Sequence, residues 1–266
     1  MSYRTFFGFQ REPFAQDIRV EDLYPLPGLQ AATERFTYAL NLGAISIVTG
    51  DVGSGKSTAL RYASSKLHPS QYKVVSVIGS TGSIIDTLRQ LCSGFDVEGN
   101  SNSLAKLIRI LRTAIAEIAQ RKQVPVLIID EASLLRLEIF AQLHSISQFD
   151  MDSKPLLSIV LAGQNNLLDK LMYHTSRPLA SRVIGRSHLE GLKLKDMTGY
   201  IKHHLQIAGV KDQLFSDEAI LAIHQGSGGL LRRANLLAKG ALIAAAHEKC
   251  TVISAEHVRI ASTEII

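Results

Sequence analysis

An α/β fold built on a parallel sheet, followed by a smaller all-helical domain, is predicted by three features of the sequence. Apolar runs rich in β-branched residues, Ala44–Thr49 (AISIVT), Tyr72–Ile78 (YKVVSVI), Val124–Ile129 (VPVLII) and Leu156–Ala162 (LLSIVLA), alternate with helix-compatible segments. Short runs of this kind read as buried strands, and strands separated by helices pair in parallel. The first run passes through a glycine-rich turn straight into a helix, the signature of a three-layer αβα core. From Leu192 onward the alternation stops and only helical stretches follow. The boundary therefore falls near Glu190–Lys193, giving an arm and αβα domain over 1–192 and a helical lid over 193–266.

The chain opens on Tyr3–Pro27, which carries Phe6, Phe7, Phe9, Phe14 and Tyr24 in a protein only 6% aromatic. Aromatics at that density must bury somewhere. Two readings stay open together: the arm packs on the core, or it closes over the base of a bound nucleotide. A helix over Leu29–Leu42, stopped by Gly43, leads to the first strand.

The turn after that strand is Gly50-Asp51-Val52-Gly53-Ser54-Gly55-Lys56-Ser57, followed by Thr58. The glycines let the backbone curl so that successive N–H groups converge on an anion at a positive helix N-terminus. The spacing G-x-x-x-x-G-K-S assigns Gly50 to Thr58 to the phosphates of ATP. Lys56 reaches the β- and γ-phosphates and the Ser57 hydroxyl holds Mg²⁺.

After the second strand, Ser83–Cys92 reads as helix and Ser93–Asn102 as a loop of turn formers. A helix over Ser103–Gln120 follows. Its Leu104, Leu107, Ile108, Leu111, Ile115 and Ile118 form one stripe, leaving Lys106, Arg109 and Arg112 outside. The third strand ends in Asp130-Glu131. Two acids at the end of a buried apolar strand are costly unless a cation meets them. A Walker-B arrangement gives the reason: Asp130 serves Mg²⁺ and Glu131 polarises the attacking water. The plainer alternative is an acidic N-cap before Ala132.

Leu134–Gln148 reads as helix. The fourth strand ends at Gly163-Gln164-Asn165, where Gln164 is the candidate to sense the γ-phosphate and Asn165 the next. Asn166–Arg186 offers Arg177, Arg182 and Arg186 before a short strand at Ser187–Leu189. The lid helices cover Leu194–Ala208, Ser216–Gln225, Leu231–Glu248 and Ala255–Thr263, with turns at Gly209 and Gly226–Gly229.

At 266 residues and 46% hydrophobic the chain can bury a sizeable core. No apolar run reaches the roughly 18 residues of a membrane span, and no signal-peptide core opens it, so a cytoplasmic protein without a membrane span is expected. Cys92 and Cys250 read as buried reduced thiols. The nine histidines show no metal spacing, and His203-His204 reads as exposed or packed within the lid. A net charge of +5 permits nucleic acid without requiring it.

With the P-loop, the Asp130-Glu131 strand end, the Gly163-Gln164 tip and Gly228-Gly229-Leu230-Leu231-Arg232-Arg233 in order, the chain resembles the AAA+ ATPases. More narrowly it is similar to the ExeA-type group, which takes in the transposition ATPases TniB and TnsC and the phage Mu B protein. FGFQREPF resembles that group's FGL-x-x-x-PF start, LIIDEA and LAGQ its strand ends, and GGLLRRAN its GG-x-P-RR-x-N. The resemblance implies sheet order 5-1-4-3-2, a lid that acts as a lever, and nucleotide bound between neighbouring subunits. It places Arg232 at the sensor-2 position on the γ-phosphate and Arg182 as the arginine finger given to a neighbour, with Arg177 next. Leu231 stands where the group commonly has proline, which implies a looser lid turn. Ser83–Cys92 resembles the insertion through which initiator-like members touch DNA.

The implied protein is a Mg²⁺-dependent ATP hydrolase, slow as a monomer, whose turnover controls its own assembly into a ring or helical filament. Double-stranded DNA, held without sequence preference, is the expected partner, with a transposase or other protein beside it and Lys106, Arg109 and Arg112 as contacts. The alternative is an ATPase that assists assembly of a secretion apparatus. That role implies a membrane span and a wall-binding module after the ATPase, and the chain's end at Ile266 is read in favour of DNA.

Overall fold

The computed structural model describes residues 2–264. In chain order the helices and strands are α1 (Tyr3–Phe6), α2 (Pro27–Asn41), β1 (Ile45–Gly50), α3 (Lys56–Ser65), β2 (Tyr72–Ile78), α4 (Ile84–Gly94), α5 (Leu104–Gln120) and β3 (Val124–Asp130). They continue with α6 (Leu137–Ser147), β4 (Ser158–Gly163), α7 (Asn166–Met172), α8 (Arg177–Ala180), β5 (Val183–Leu189), α9 (Leu194–Ile207), α10 (Asp217–Ser227), α11 (Leu231–His247) and α12 (Ala255–Thr263). Contacts divide the chain into two compact units. One is a sheet unit of Pro27–Asp51 and Lys56–Leu189. The other is a helical unit that takes residues up to Leu26, the loop Val52–Gly55 and residues from Glu190 on.

The strands of the sheet unit form one sheet in the order β2-β3-β4-β1-β5, the expected order, and every described ladder is parallel. Burial explains the run composition. β1 and β4 are buried at every position and Val126–Ile129 of β3 likewise, because helices cover both faces. The outer strands β2 and β5 instead alternate buried with exposed residues. β5 is longer than the Ser187–Leu189 expected. Its buried positions are Gly185, Ser187 and Leu189, too small or polar to read as an apolar run.

On α5, Leu107, Leu111, Ala114, Ile115 and Ile118 are buried, and the Ser103 side chain caps the helix by accepting from the Lys106 N–H. Lys106 and Arg109 are exposed, as expected. Arg112 is not: it donates to Ser145 O at 2.8 Å and lies 4.9 Å from the Phe149 ring centre, so it ties α5 to the end of α6. The helix expected from Leu134 starts only at Leu137. Ala132–Leu134 forms a 3₁₀ turn instead.

In the helical unit Met197, Ile201, Phe215, Ile223, Leu237 and Leu242 share a core with Phe9 and Phe14 of the arm. The arm, expected to go with the αβα domain, thus packs among the lid helices. Phe14 stacks on His204 at 5.1 Å and meets the Phe215 ring edge-on. Gln10 N–H donates to Ala208 O at 2.9 Å, and Glu12 pairs with Lys239 at 2.6 Å. Tyr24 sits beside Tyr200 and His203, with its hydroxyl 2.1 Å from where a Cβ at Gly199 would lie, so that position admits only glycine without displacement. His204 is 3% exposed, and burial, then the neighbouring His203, pushes its pKa down to about 3.

The turn before α11 is pinned rather than loose. Gly228 and Gly229 both have positive φ, Leu192 N–H donates to Gly229 O at 2.9 Å, and His224 Nε2 reaches Leu192 O at the same distance. Both cysteines are free. Cys92 is buried, which raises its pKa, while Cys250 is only half-buried. No described helix is long and apolar enough to cross a membrane.

Candidate nucleotide site

Parallel pairing brings the chemistry to one edge of the sheet. Thr49 of β1 is level with Gly163 of β4, and Ile129 of β3 with Leu161. The carboxyl ends of β1, β4 and β3 are therefore neighbours, and Gly50, Gln164 and Asp130 emerge side by side. Gly50 and Asp130 are two strand spacings apart, about 10 Å. This is the sheet edge at which α/β proteins bind ligands.

The loop after β1 has the conformation that its glycines were expected to supply, with φ of 85° at Gly53 and 98° at Gly55. Lys56, 5% exposed, opens α3 and donates from Nζ to Gly50 O and Asp51 O, each at 2.9 Å. Burying an ammonium there is tolerable because the loop carbonyls solvate it. Ser54 Oγ is buried without a hydrogen-bond partner, an orphaned polar atom inside the loop. A buried lysine, an unpaired hydroxyl and left-handed glycines at a helix N-terminus fit a polyphosphate. Ser57 is exposed and Thr58 half-buried on the first turn of α3, and Asp51 and Val52 are exposed.

Residues Val52–Gly55 count with the helical unit, and there Arg232 N–H donates to Gly53 O at 3.2 Å. A Cβ on Gly53 would come within 2.9 Å of Arg232 Cβ, and one on Gly55 within 3.0 Å of Leu231 Cδ1. Arg232 thus starts α11 against the loop, with its side chain exposed.

Asp130 and Glu131 are half-buried. Asp130 Oδ1 accepts the Glu131 N–H at 2.9 Å, which orients that carboxylate. Glu131 is left-handed, with φ 53° and ψ 34°, and its side chain makes no capping hydrogen bond, so the acidic N-cap alternative does not hold. Neighbouring strand ends pack closely here. A Cβ at Gly79 would lie 2.6 Å from Glu131 O, and one at Gly163 would lie 2.8 Å from Ser133 N. Gln164 is half-buried and Asn165 exposed at the tip of β4.

Arg182 is elsewhere. It precedes β5, and its carbonyl accepts from Ile45 N–H at the amino end of β1, so it lies at the opposite edge of the sheet. Its guanidinium is paired with Asp152 and donates to Ser147 Oγ at 2.9 Å. Arg177, at the start of α8, is exposed and donates to Met172 O at 3.4 Å, while Arg186 is exposed on β5. No arginine of the sheet unit named above joins its own strand-tip cluster.

One further donor set stands apart. Ligand atoms of Glu248, Cys250 and His257 lie within 4.8 Å of one another. His257 Nδ1 accepts Ser254 N–H at 2.9 Å, which leaves Nε2 as the protonated nitrogen facing Glu248 at 3.1 Å. That ring is a helix cap with both nitrogens engaged.

Two side chains at this end of the sheet carried no sequence signal. Ser133 Oγ is buried without a partner beside Gly163, and Lys170 of α7 donates to Ser133 O at 2.6 Å and Leu135 O at 2.7 Å. A lysine on a short amphipathic helix reads as a surface residue, and only the folded chain shows its acceptors.

The AAA domain family matches residues 41–171. General secretion pathway protein A of Aeromonas hydrophila is 31% identical over 246 residues, 91% of this chain, and the chain spans 45% of that relative's length. Among solved structures, Cdc6p from Pyrobaculum aerophilum superposes with a TM-score of 0.75 at 16% identity, covering 95% of this chain and 70% of that one. The Aeropyrum pernix ORC1 protein in complex with DNA gives 0.68 at 14% identity, covering 95% and 68%. These matches, on a parallel αβα sheet whose glycine-rich turn and acidic strand end share one edge, show an AAA domain over residues 41–171, on the fold of the Cdc6p and ORC1 structures.

Proposed function

We propose that this chain binds and hydrolyses ATP to control its own assembly, most readily on double-stranded DNA and without base readout. The observation that carries the ATPase reading is the edge shared by Lys56, Asp130, Glu131 and Gln164. Lys56 and the loop amides would take the phosphates, and Ser57 and Asp130 would hold Mg²⁺, which when bound would neutralise charge on the phosphate oxygens. Glu131 accepts hydrogen from the attacking water, Gln164 orients it, and Arg232 reaches the terminal phosphate. Arg182 and Arg177 lie outside their own cluster, so a finger supplied by either one would serve a neighbouring molecule's site. Assembly and turnover are coupled for that reason.

The DNA reading is supported by the net charge of +5 and by exposed Lys106 and Arg109 on α5. The fold is shared with a protein whose structure contains DNA. A role in transposition target selection is one form of it, with a transposase as partner. The second reading, a factor for assembling a secretion apparatus, is favoured by the 31% identity to a general secretion pathway protein. ATP turnover and ATP-dependent retention on duplex DNA across a salt series separate the two. The DNA reading expects stimulation that falls steeply with salt, because each phosphate contact releases counterions. Absence of both stimulation and retention at low salt removes it.

A further inference from the structure

We propose that Lys170 is a positioning residue for hydrolysis, a strut that fixes the Glu131 turn against the tip of β4. The inference rests on the ATPase reading and adds to it a residue outside the motifs. Glu131 must hold its carboxylate toward the γ-phosphate, yet it follows β3 in a left-handed conformation that a side chain with a Cβ does not favour. The turn after it closes through Leu134 N–H to Glu131 O at 2.9 Å and Leu135 N–H to Ala132 O at 3.1 Å. A turn this short leaves later carbonyls without partners of its own.

Lys170 meets two of them. Its ammonium donates to Ser133 O at 2.6 Å and Leu135 O at 2.7 Å, both short charge-assisted bonds to the carbonyl end of the turn. Lys170 rides on α7, which begins two residues after Gln164. One side chain therefore links the element carrying the water-polarising acid to the element carrying the γ-phosphate sensor. The link is a tight one, since Gly163 leaves no room for a Cβ against Ser133. A half-buried cation that donates to two carbonyls of a strained turn does more for position than for charge balance.

The test is a cycle of Lys170→Met, Lys170→Arg and Glu131→Gln in the full chain, reading kcat, KM for ATP, nucleotide affinity and thermal midpoint. Lys170→Met is expected to lower kcat about 10- to 100-fold, the scale of a displaced catalytic group, with ATP affinity within about threefold of wild type. Lys170→Arg recovers most of kcat. In the Glu131→Gln background Lys170→Met costs nothing further, because it acts through that carboxylate. Unchanged kcat overturns the proposal. So does a parallel loss of kcat, affinity and thermal midpoint, or an equal loss with and without the Glu131 carboxylate. If Lys170→Met does not fold, failure of Lys170→Arg to separate kcat from affinity in the same direction, more weakly, overturns it equally. Absence of ATP turnover by the wild-type chain removes the underlying ATPase reading, and the strut with it.

Discussion

Asp152 holds the Arg182 guanidinium in an ion pair while Ser147 takes its other side, so this arginine is engaged within its own chain. Asp152 sits on a loop in which it, Asp150 and Met151 all have positive φ. Arg177 is exposed and its side chain makes a long bond to Met172 O. Of the two finger candidates, Arg177 is the one whose side chain is at hand for a neighbour.

The two arginines should therefore separate by assay. Arg182→Ala lowers stability by about 1–3 kcal/mol, the scale of hydrogen bonds to a charged group, measured by denaturant unfolding. Arg177→Ala leaves unfolding unchanged but lowers turnover of the assembled protein by at least about 10³-fold, measured above the assembly concentration. The reverse pattern returns the role to Arg182.

Glu131→Gln should keep ATP bound and lower kcat by about 10²- to 10⁴-fold, the range of a positioned general base. Lys56→Ala should abolish ATP binding, because the buried ammonium on Gly50 O and Asp51 O is the loop's only lysine. Titration with a fluorescent ATP analogue and single-turnover kinetics read both. Normal hydrolysis by the Glu131 variant moves the base elsewhere.

Gly199→Ala should destabilise by about 1–3 kcal/mol, the usual cost of overpacking, because the new methyl meets the Tyr24 hydroxyl. In a Tyr24→Phe background the hydroxyl is gone and the penalty shrinks. Thermal unfolding of the four proteins checks this, and an equal penalty in both backgrounds would show that the arm does not pack as described.

Acid should loosen the chain through His204. Its folded pKa of about 3 lies below the ordinary value of 6.5, so between those limits the unfolded state binds the extra proton. Stability from this group is complete above about pH 6.5 and declines as pH falls toward 3. At pH 5 the loss is about 2 kcal/mol. His204→Phe, which keeps the ring against Phe14 and Tyr200, should flatten that part of the stability profile relative to wild type. An unaltered slope assigns the acid sensitivity to other groups.

The sheet could be read from residue types because its central strands are covered on both faces, which forces uninterrupted apolar runs such as VLII and SIVLA. β5 escaped because an edge strand needs only every second side chain inward, and glycine and serine fill those places. The glycine-rich turn and the Asp130-Glu131 end could be placed because each directly follows an apolar strand run. The start of α6 was misplaced because the apolar spacing of Leu134 and Leu135 continues the helical period while the left-handed Glu131 forces a 3₁₀ turn first. What Arg112, Arg182 and Lys170 touch depends on residues more than ten positions away, and no local pattern encodes such partners.

The phenylalanines of the arm finish in a core whose other members are synthesised much later than they are. Phe9 and Phe14 have no place to go until α9 and Phe215 have been synthesised, roughly 10–40 s later at about 5–20 residues per second. Through that interval a run of phenylalanines hangs from the nascent chain, open to chaperones and to its own kind. Completion of the helical unit is thus the step that ends the arm's exposure, and slower translation between Phe14 and Phe215 lengthens it.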